Sequence, residues 1–498
     1  MPKTRYDHVH APHPSGRGAP YNGGWMLEKI VRDAARVGDA VEVRDGRVTV
    51  KDEAALTGPM MDALVHEAVF GTGIARAQAR WMIWEIGQDV GVRPASIHDL
   101  YMARGRGETG GFTAPAINVR GLSYDTARSI FRTAIRLDAG AFLLEIARSE
   151  IAYTDQRPSE YVAVMLAAAL REGFRGPVFI QGDHFQVNAR KYSVDAEGEV
   201  AAVMQLAREA IDAGFYNIDV DTSTLVDLSH ETLDEQQRLN YEVGVKLTRF
   251  VREQEPEGVT ISIGGEIGEV GTENSTVPEL RAFMDGFNRT LAEQAPGMVG
   301  LSKISVQSGT SHGGVVLADG SIADVALDLN TLEELSRVAR EEYGMAGAVQ
   351  HGASTLPDGA FNNFPRTETA EIHLATNFQN MLYDHLPSEL RDEIYEWLRV
   401  NTADERKATD TDEQFFYKTR KKAIGPFKRA LWDLPEELRA ELGRAYDDKF
   451  GFLFEQLAVG GTAAAVSRFV DAPVQRLPMP DSDRPSVKAA PDDPDAGE

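Results

Sequence analysis

Residues 177–184 read PVFIQGDH, a short apolar and β-branched run that ends on an acid and a histidine. Its length and composition mark a strand with polar groups gathered at the carboxyl end. Seven more runs of the same kind lie around it: TAPAINV from Thr113, AFLLEIA from Ala141, FYNIDVDTS from Phe215, VTISIGGEIG from Val259, LSKISVQSG from Leu301, AGAVQHG from Ala346 and AEIHLAT from Ala370. Longer stretches of helical periodicity separate them. Eight alternations of strand and helix within roughly 250 residues predict an α/β fold of the (β/α)8 barrel type, and the count favours closure over an open, doubly wound sheet.

The barrel is expected over residues 107–385, with additions at both ends. Residues 1–24 are rich in Gly, Pro and His (His8, His10, His13) and read as an extended arm. Residues 25–106 show apolar spacing such as MDALVHEAVFGTGIARAQARWMIWEIGQDV and read as a helical extension, in which His66 and His98 are packing or surface residues. Residues 386–470 are again helical and charged, which suggests contact between subunits of a homo-oligomer, a dimer or tetramer. Residues 471–498, rich in Pro and Asp, are expected to be disordered. No internal repeat is present.

Of 498 residues, 42% are hydrophobic and 26% charged, the balance of an ordinary globular protein. The 52 basic residues against 77 acidic ones give a net charge of −25, so nucleic acid and anionic membrane surfaces are repelled. An anionic small molecule is repelled too, unless a local cationic cluster or a metal reverses the field. The absence of cysteine excludes disulfides, thiolate nucleophiles and sulfur-ligated zinc, so a transition metal must sit on His and carboxylates. No stretch has the apolar length of a signal peptide or a membrane span, and the expected location is cytoplasmic.

In a barrel of this type the carboxyl ends of the strands form the active face. There the sequence places Asp183 and His184 on the third strand, Asp219, Asp221 and Ser223 on the fourth, and Glu266 on the fifth, followed by Glu269 and Glu273. His312 follows the sixth strand, His351 with Gly352 and Ser354 the seventh, and His373, Thr376 and Asn377 the eighth. One histidine at a strand end is most simply a capping or packing residue. Three, at the ends of strands three, six and seven and with a carboxylate beside the first, fit a metal site with an open coordination position.

The strings GDH at Gly182, DTS at Asp221, EIGEVGTENS from Glu266, SGTSHGG from Ser308, QHGAS from Gln350 and HLATN from His373 resemble, in order, the strand-end motifs of class II fructose- and tagatose-bisphosphate aldolases. PAINV at Pro115 resembles their first strand. The resemblance spans roughly residues 99–384. It implies a zinc-dependent aldolase (zinc or another divalent metal, with a monovalent cation besides) that reversibly cleaves a phosphorylated ketose, of the fructose-1,6-bisphosphate kind, through a metal-stabilised enediolate. His184, His312 and His351 would hold the metal, with Glu266 close to it, and Asp183 would donate a proton to the acceptor aldehyde's oxygen. Glu273 matches the family's loop glutamate that removes the donor's proton, and Glu269 competes for that role. Gly313, Gly352, Ser354 and Thr376 resemble the phosphate cradle, and Asn377 adjoins it.

Two departures bear on the substrate. His373 stands where the family usually has an Asn that touches the donor, and Ala375 resembles the tagatose-type motif. Arg148, at the end of the second strand, could meet an acceptor phosphate or form a surface ion pair. Three other readings exist: a Schiff-base aldolase using Lys303 on the sixth strand, a noncatalytic partner subunit of a tagatose-bisphosphate-type aldolase, and a zinc hydrolase on the same ligands.

Overall fold

Each of the eight runs forms a strand in the computed structural model, which describes residues 40–268, 273–309, 317, 327–481, 489–490 and 492. Ahead of them lie a hairpin, β1 (Val41–Arg44) and β2 (Arg47–Val50), and a short strand β3 (Val92–Ala95). The eight follow as β4 (Ala114–Asn118), β5 (Leu143–Ala147), β6 (Gly176–Gln186), β7 (Asn217–Asp221), β8 (Ser262–Glu266), β9 (Lys303–Val306), β10 (Ala348–Gln350) and β11 (Glu371–Leu374). All eight pair in parallel with their sequence neighbours, and β11 pairs with β4, so the sheet closes into a (β/α)8 barrel.

Helices wrap the barrel because their apolar residues repeat at helical spacing. Ser123–Leu137, for example, buries Thr126, Ala127, Ile130, Phe131 and Ala134 against the sheet side. Val277–Gln294 starts at a capping box in which Thr276 and Glu279 each satisfy the other's backbone N–H. Between β10 and β11 the connection is made by short turns, Ala353–Thr355, Asp358–Ala360 and Asn363–Arg366, in place of a long helix. The C-terminal helix Glu436–Gln456 lies against Ser123–Leu137 and Thr376–Asp384, burying Tyr446, Phe450 and Phe454.

Two features differ from the expectation for the flanks. The described part of the N-terminal extension is not purely helical: VEVRDGRVTV alternates with period two and turns at Asp45-Gly46, both with positive φ, which makes the β1–β2 hairpin. Strand β3 joins the barrel sheet. It pairs with β6 at Gly176–Phe179, below the level at which β7 takes over that edge at Gln181. The Asn217 side chain ties the junction, donating to the carbonyls of Ala95 and Ile180 and accepting from the Ile97 N–H.

Residues 471–481 have no regular structure, yet they are packed. The indole N–H groups of Trp81 and Trp84, on helix Gly73–Val90, donate to the carbonyls of Leu477 at 3.0 Å and Gln475 at 2.6 Å. Buried Glu85 accepts from the Leu477 N–H and pairs with Arg476 at 2.8 Å. The expected disorder therefore does not hold for this part of the tail, because buried polar groups of the N-terminal extension need it as a partner. The arm over residues 1–24 lies outside the described residues. Among the described residues no helix is long and apolar enough to cross a membrane.

Truncating the chain after Val470 should leave the two indole donors and Glu85 to water or to no partner. A cost of about 1–3 kcal/mol per buried group follows. The melting temperature of the truncated chain, measured by circular dichroism, should fall by several degrees; an unchanged melt would show that the tail contributes nothing.

Candidate active site

The polar residues of the strand ends meet at the mouth of the barrel, on the floor of a cavity of about 610 Å³. Its wall includes Asn118, Asp183, His184, His351, Gly352, Ser354, His373 and Thr376. The C-terminal segment closes the opposite side with Glu405, Asp410, Phe415, Tyr417, Lys418 and Lys421.

Asp183 and His184 are sequence neighbours on β6, and in a regular strand such neighbours face opposite sides. Here the register between β6 and β7 shifts between Gly182 and Phe185, and His184 adopts φ 41°. The bulge turns both side chains to the mouth. Gly182 is required at this point: a Cβ there would stand 2.5 Å from the Phe185 ring, which folds back over it.

Each imidazole is oriented by a neighbour. Nδ1 of His184 lies 3.0 Å from Asp221 Oδ2, at the end of β7, and 3.5 Å from Glu266 Oε2, at the end of β8. Asp221 is held in turn by Gln186 at 2.6 Å and by the Ser223 hydroxyl at 2.7 Å, which gives the DTS motif its task. His351 Nε2 is hydrogen-bonded to Ser305 Oγ at 2.9 Å, and its ring packs on His184 with centroids 4.2 Å apart. An imidazole tied to a carboxylate at Nδ1 is the arrangement that accompanies metal ligation by histidine.

Asp183 is held at both oxygens. Oδ2 accepts from Asn118 Nδ2 at 3.1 Å, and Oδ1 lies 3.1 Å from His373 Nδ1. Asn118 also donates to Glu150 at 2.8 Å, and Glu150 accepts from Arg120 at 2.6 Å. Burial opposes the charge on Asp183, but His184 and His373 hold its pKa well below the ordinary carboxylate range. Burial likewise disfavours a charged His184, while Asp183, Asp221 and Glu266 outweigh it and raise the imidazole well above its ordinary value. The acids thus demand positive charge at this point, which a divalent cation would supply.

The donor set suits such a cation. His184, Glu266 and His351 each offer one ligand atom, all within 4.8 Å of one another. Nitrogen and carboxylate donors of this kind fit zinc, as cysteine-free chemistry requires. His312 and Gly313, like Glu269, lie outside the described residues.

The other residues singled out in the sequence fall into two groups. Gly352, Ser354, His373 and Thr376 line the cavity. Ser354 Oγ accepts from the Ala375 N–H, at the start of helix Thr376–Asp384. Glu273 is exposed, and neither it nor Asn377 is part of the cavity wall. Arg148 is not there either: it is buried, donating to Glu199 at 2.6 Å and to the Gln186 carbonyl at 2.6 Å. Its ion pair is internal, because the chain enters helix Arg148–Tyr153 at that residue and the side chain turns away from the mouth.

Lys303 does not fit a Schiff-base role. Its ammonium is buried, 1% exposed, and bonded to Gln181 at 2.8 Å, to Asp219 at 2.9 Å and to Glu371. Burial works against its charge, but the two carboxylates raise its pKa above the ordinary lysine value, so the neutral amine that nucleophilic attack needs is disfavoured. Reading strand ends alone missed Asn118, Glu145, Glu150, Gln181 and Glu371. Asn118 ends β4 and so obeys the strand-end rule, Glu150 lies in the helix that follows β5, and Glu145, Gln181 and Glu371 sit one layer deeper.

A family model described as fructose-bisphosphate aldolase class-II matches residues 105–430. The chain belongs to that family. The match extends past the barrel into the C-terminal helices, so the segment that walls the cavity is part of the class II aldolase region. No curated protein matches the chain. Among solved structures, a protein from Sinorhizobium meliloti described as a tagatose 6 phosphate kinase is similar at 17% identity and a TM-score of 0.50, over 72% of this chain and 99% of that one. The YdjI aldolase of Escherichia coli (12% identity, TM-score 0.44, 74% of this chain and 99% of that one) is similar as well. So is the fructose-bisphosphate aldolase of Campylobacter jejuni, at 15% identity and TM-score 0.43, over 72% and 93% of the two chains. At 17% identity the likeness to the Sinorhizobium meliloti protein speaks to the fold alone.

Within this aldolase-family barrel, Glu145 lies buried beside Asp183 and His373. Burial, then the charge of Asp183, pushes its pKa up to about 8. The folded protein therefore holds a proton that the unfolded chain releases above about 4.5, and the stabilisation is lost as pH rises through about 8. In chelator-treated protein, Glu145→Gln should flatten the dependence of melting temperature on pH across that window. Parallel curves for variant and wild type would contradict the assignment.

Proposed function

We propose that this family member is a zinc-dependent aldolase that cleaves, and in reverse forms, the carbon–carbon bond of a phosphorylated ketose. The observation that carries the reading is that Asp183, His184 and His351 line one cavity, with Glu266 close enough to both imidazoles to share an ion with them. His312, which follows β9 in the sequence, completes the ligand set in this proposal. When bound, the metal supplies a Lewis acid that polarises the donor carbonyl and stabilises negative charge developing there.

The remaining work falls to side chains. Asp183, fixed at both oxygens, faces the cluster and is placed to exchange a proton with the hydroxyl oxygen of the acceptor half. Gly352, Ser354 and Thr376 line the same wall beside the N-terminus of helix Thr376–Asp384, where backbone N–H groups and hydroxyls suit a phosphate. The base that acts on the donor carbon is assigned to the sequence that follows β8, to Glu273 or Glu269. The C-terminal segment over the cavity limits access of water to the reacting atoms. A sugar phosphate as substrate, a cytoplasmic location and a homo-oligomeric assembly belong to the same proposal.

The test is a screen of ketose mono- and bisphosphates for retro-aldol cleavage by the purified chain alone, with metal analysis. His351→Ala should lose metal and activity together, whereas Asp183→Ala should keep metal and lose roughly 10²–10⁴-fold in kcat, the range for a general acid–base. Full activity in both variants would end this mechanism. A wild type that holds metal but cleaves nothing without a second protein would favour the partner-subunit reading.

A further inference from the structure

We propose that His373 is a positioning residue, the outer end of a strut Lys303–Glu371–His373 that crosses the inside of the barrel and fixes the carboxylate of Asp183. The inference rests on the aldolase reading for its chemical purpose, and on the geometry for its existence.

The sequence resemblance assigned position 373 to contact with the donor substrate, through an Asn. The imidazole present here is engaged otherwise. Nε2 lies 2.8 Å from Glu371 Oε1, and Nδ1 lies 3.1 Å from both Asp183 Oδ1 and Glu145 Oε1. Both ring nitrogens therefore face carboxylate oxygens of the protein itself. The ring is 5% exposed and lies against His351 with centroids 4.0 Å apart, which stops it turning.

Glu371 and His373 are two apart on β11, so both point inward. Glu371 accepts from the Lys303 ammonium, from the Tyr101 hydroxyl and, at 2.8 Å, from Gln181. Lys303 is anchored in turn to Asp219 and Gln181. Alternate strands β5, β7, β9 and β11 thus supply Glu145, Asp219, Lys303 and Glu371, a layer that barrels of this type usually fill with branched apolar residues. Room is made for it on β8, where a Cβ on Gly264 would stand 2.2 Å from Asp219 Oδ1 and 2.9 Å from the Lys303 side chain. Breaking one member of such a buried ionic set is costly, so its members hold fixed positions. A catalytic carboxylate gains from that stiffness, because misplacement by about 1 Å can cost about 10²-fold in rate.

The experiment uses the full chain with His373→Leu, His373→Gln and Glu371→Gln, scored for kcat, KM and bound metal, with crystal structures of wild type and the leucine variant. His373→Leu should lose about 10²-fold in kcat while KM and metal content stay within about twofold. His373→Gln, which can still donate to Asp183, should recover at least about tenfold of that loss. An unchanged kcat, a loss of metal, or a raised KM at constant kcat would each overturn the proposal, the last two by making His373 a ligand or a substrate contact. If the leucine variant fails to fold, Glu371→Gln decides, with the same split expected and wild-type kcat overturning it. If the wild type cleaves no ketose phosphate, the aldolase reading fails, and the crystal structures decide the strut. Asp183 spread over rotamers or turned away in His373→Leu would support it, and an unmoved carboxylate would overturn it.

Discussion

The site depends on one break in strand regularity. Asp183 and His184 can face the same cavity only because the β6–β7 register slips between Gly182 and Phe185 and His184 takes a left-handed φ of 41°. A non-glycine residue in that region costs on the order of 1–3 kcal/mol. The hydrogen bond to buried Asp221 and the packing of Phe185 over Gly182 offset it. The same edge of β6 is where β3 yields its pairing position to β7, one of the eight pairings that a closed barrel needs. Closure, bulge and ligand placement are therefore coupled in a single strand.

The fold was legible because strand period and strand count are properties of the chain itself. All eight observed barrel strands fall on the eight runs, and the strand-end rule led to Asp183, His184, Glu266, His351 and His373. What the rule could not supply was direction once the chain leaves a strand. Arg148 begins a helix, and its guanidinium turns inward to Glu199; Asn377, past the first residue of another helix, is off the cavity wall. The deeper layer was hidden for a different reason. Glu145, Gln181 and Glu371 sit within apolar runs, and nothing in a single sequence says that charges at those places meet across a barrel. The tail illustrates the limit of composition: Pro and Asp point to disorder, but residues 471–481 are ordered by indole and carboxylate partners far away in sequence.

Inside the barrel, electrostatics replaces apolar packing as the organising force. Lys303 is enclosed by Asp219 and Glu371, and the latter is depressed to about 2, with burial opposed first by Lys303 and then by His373. An ammonium in this position is a fixed positive charge beneath an acidic mouth. Enclosed by two carboxylates, this one ammonium does not on its own reverse the field of the mouth in a chain of net charge −25. The same enclosure that makes Lys303 useful as a charge removes it as a nucleophile.

The C-terminal helices change what the cavity can accept. From the sequence they read as an appendage suited to subunit contact; in the structure Phe415, Tyr417, Lys418 and Lys421 form the wall facing Asp183 and His351. Helix Asp412–Thr419 owes its place to a Thr411–Gln414 capping box and to buried Phe415 and Phe416. Its cations do not stand alone, since Lys418 pairs with Asp410 at 2.8 Å and Glu405 shares the wall. A ligand carrying negative charge at that end must therefore compete with Asp410 to reach Lys418. An ion pair with a partly exposed lysine is weaker and more sensitive to salt than the buried groups on the barrel floor, so electrostatics at this end of the cavity yields more readily than at the other.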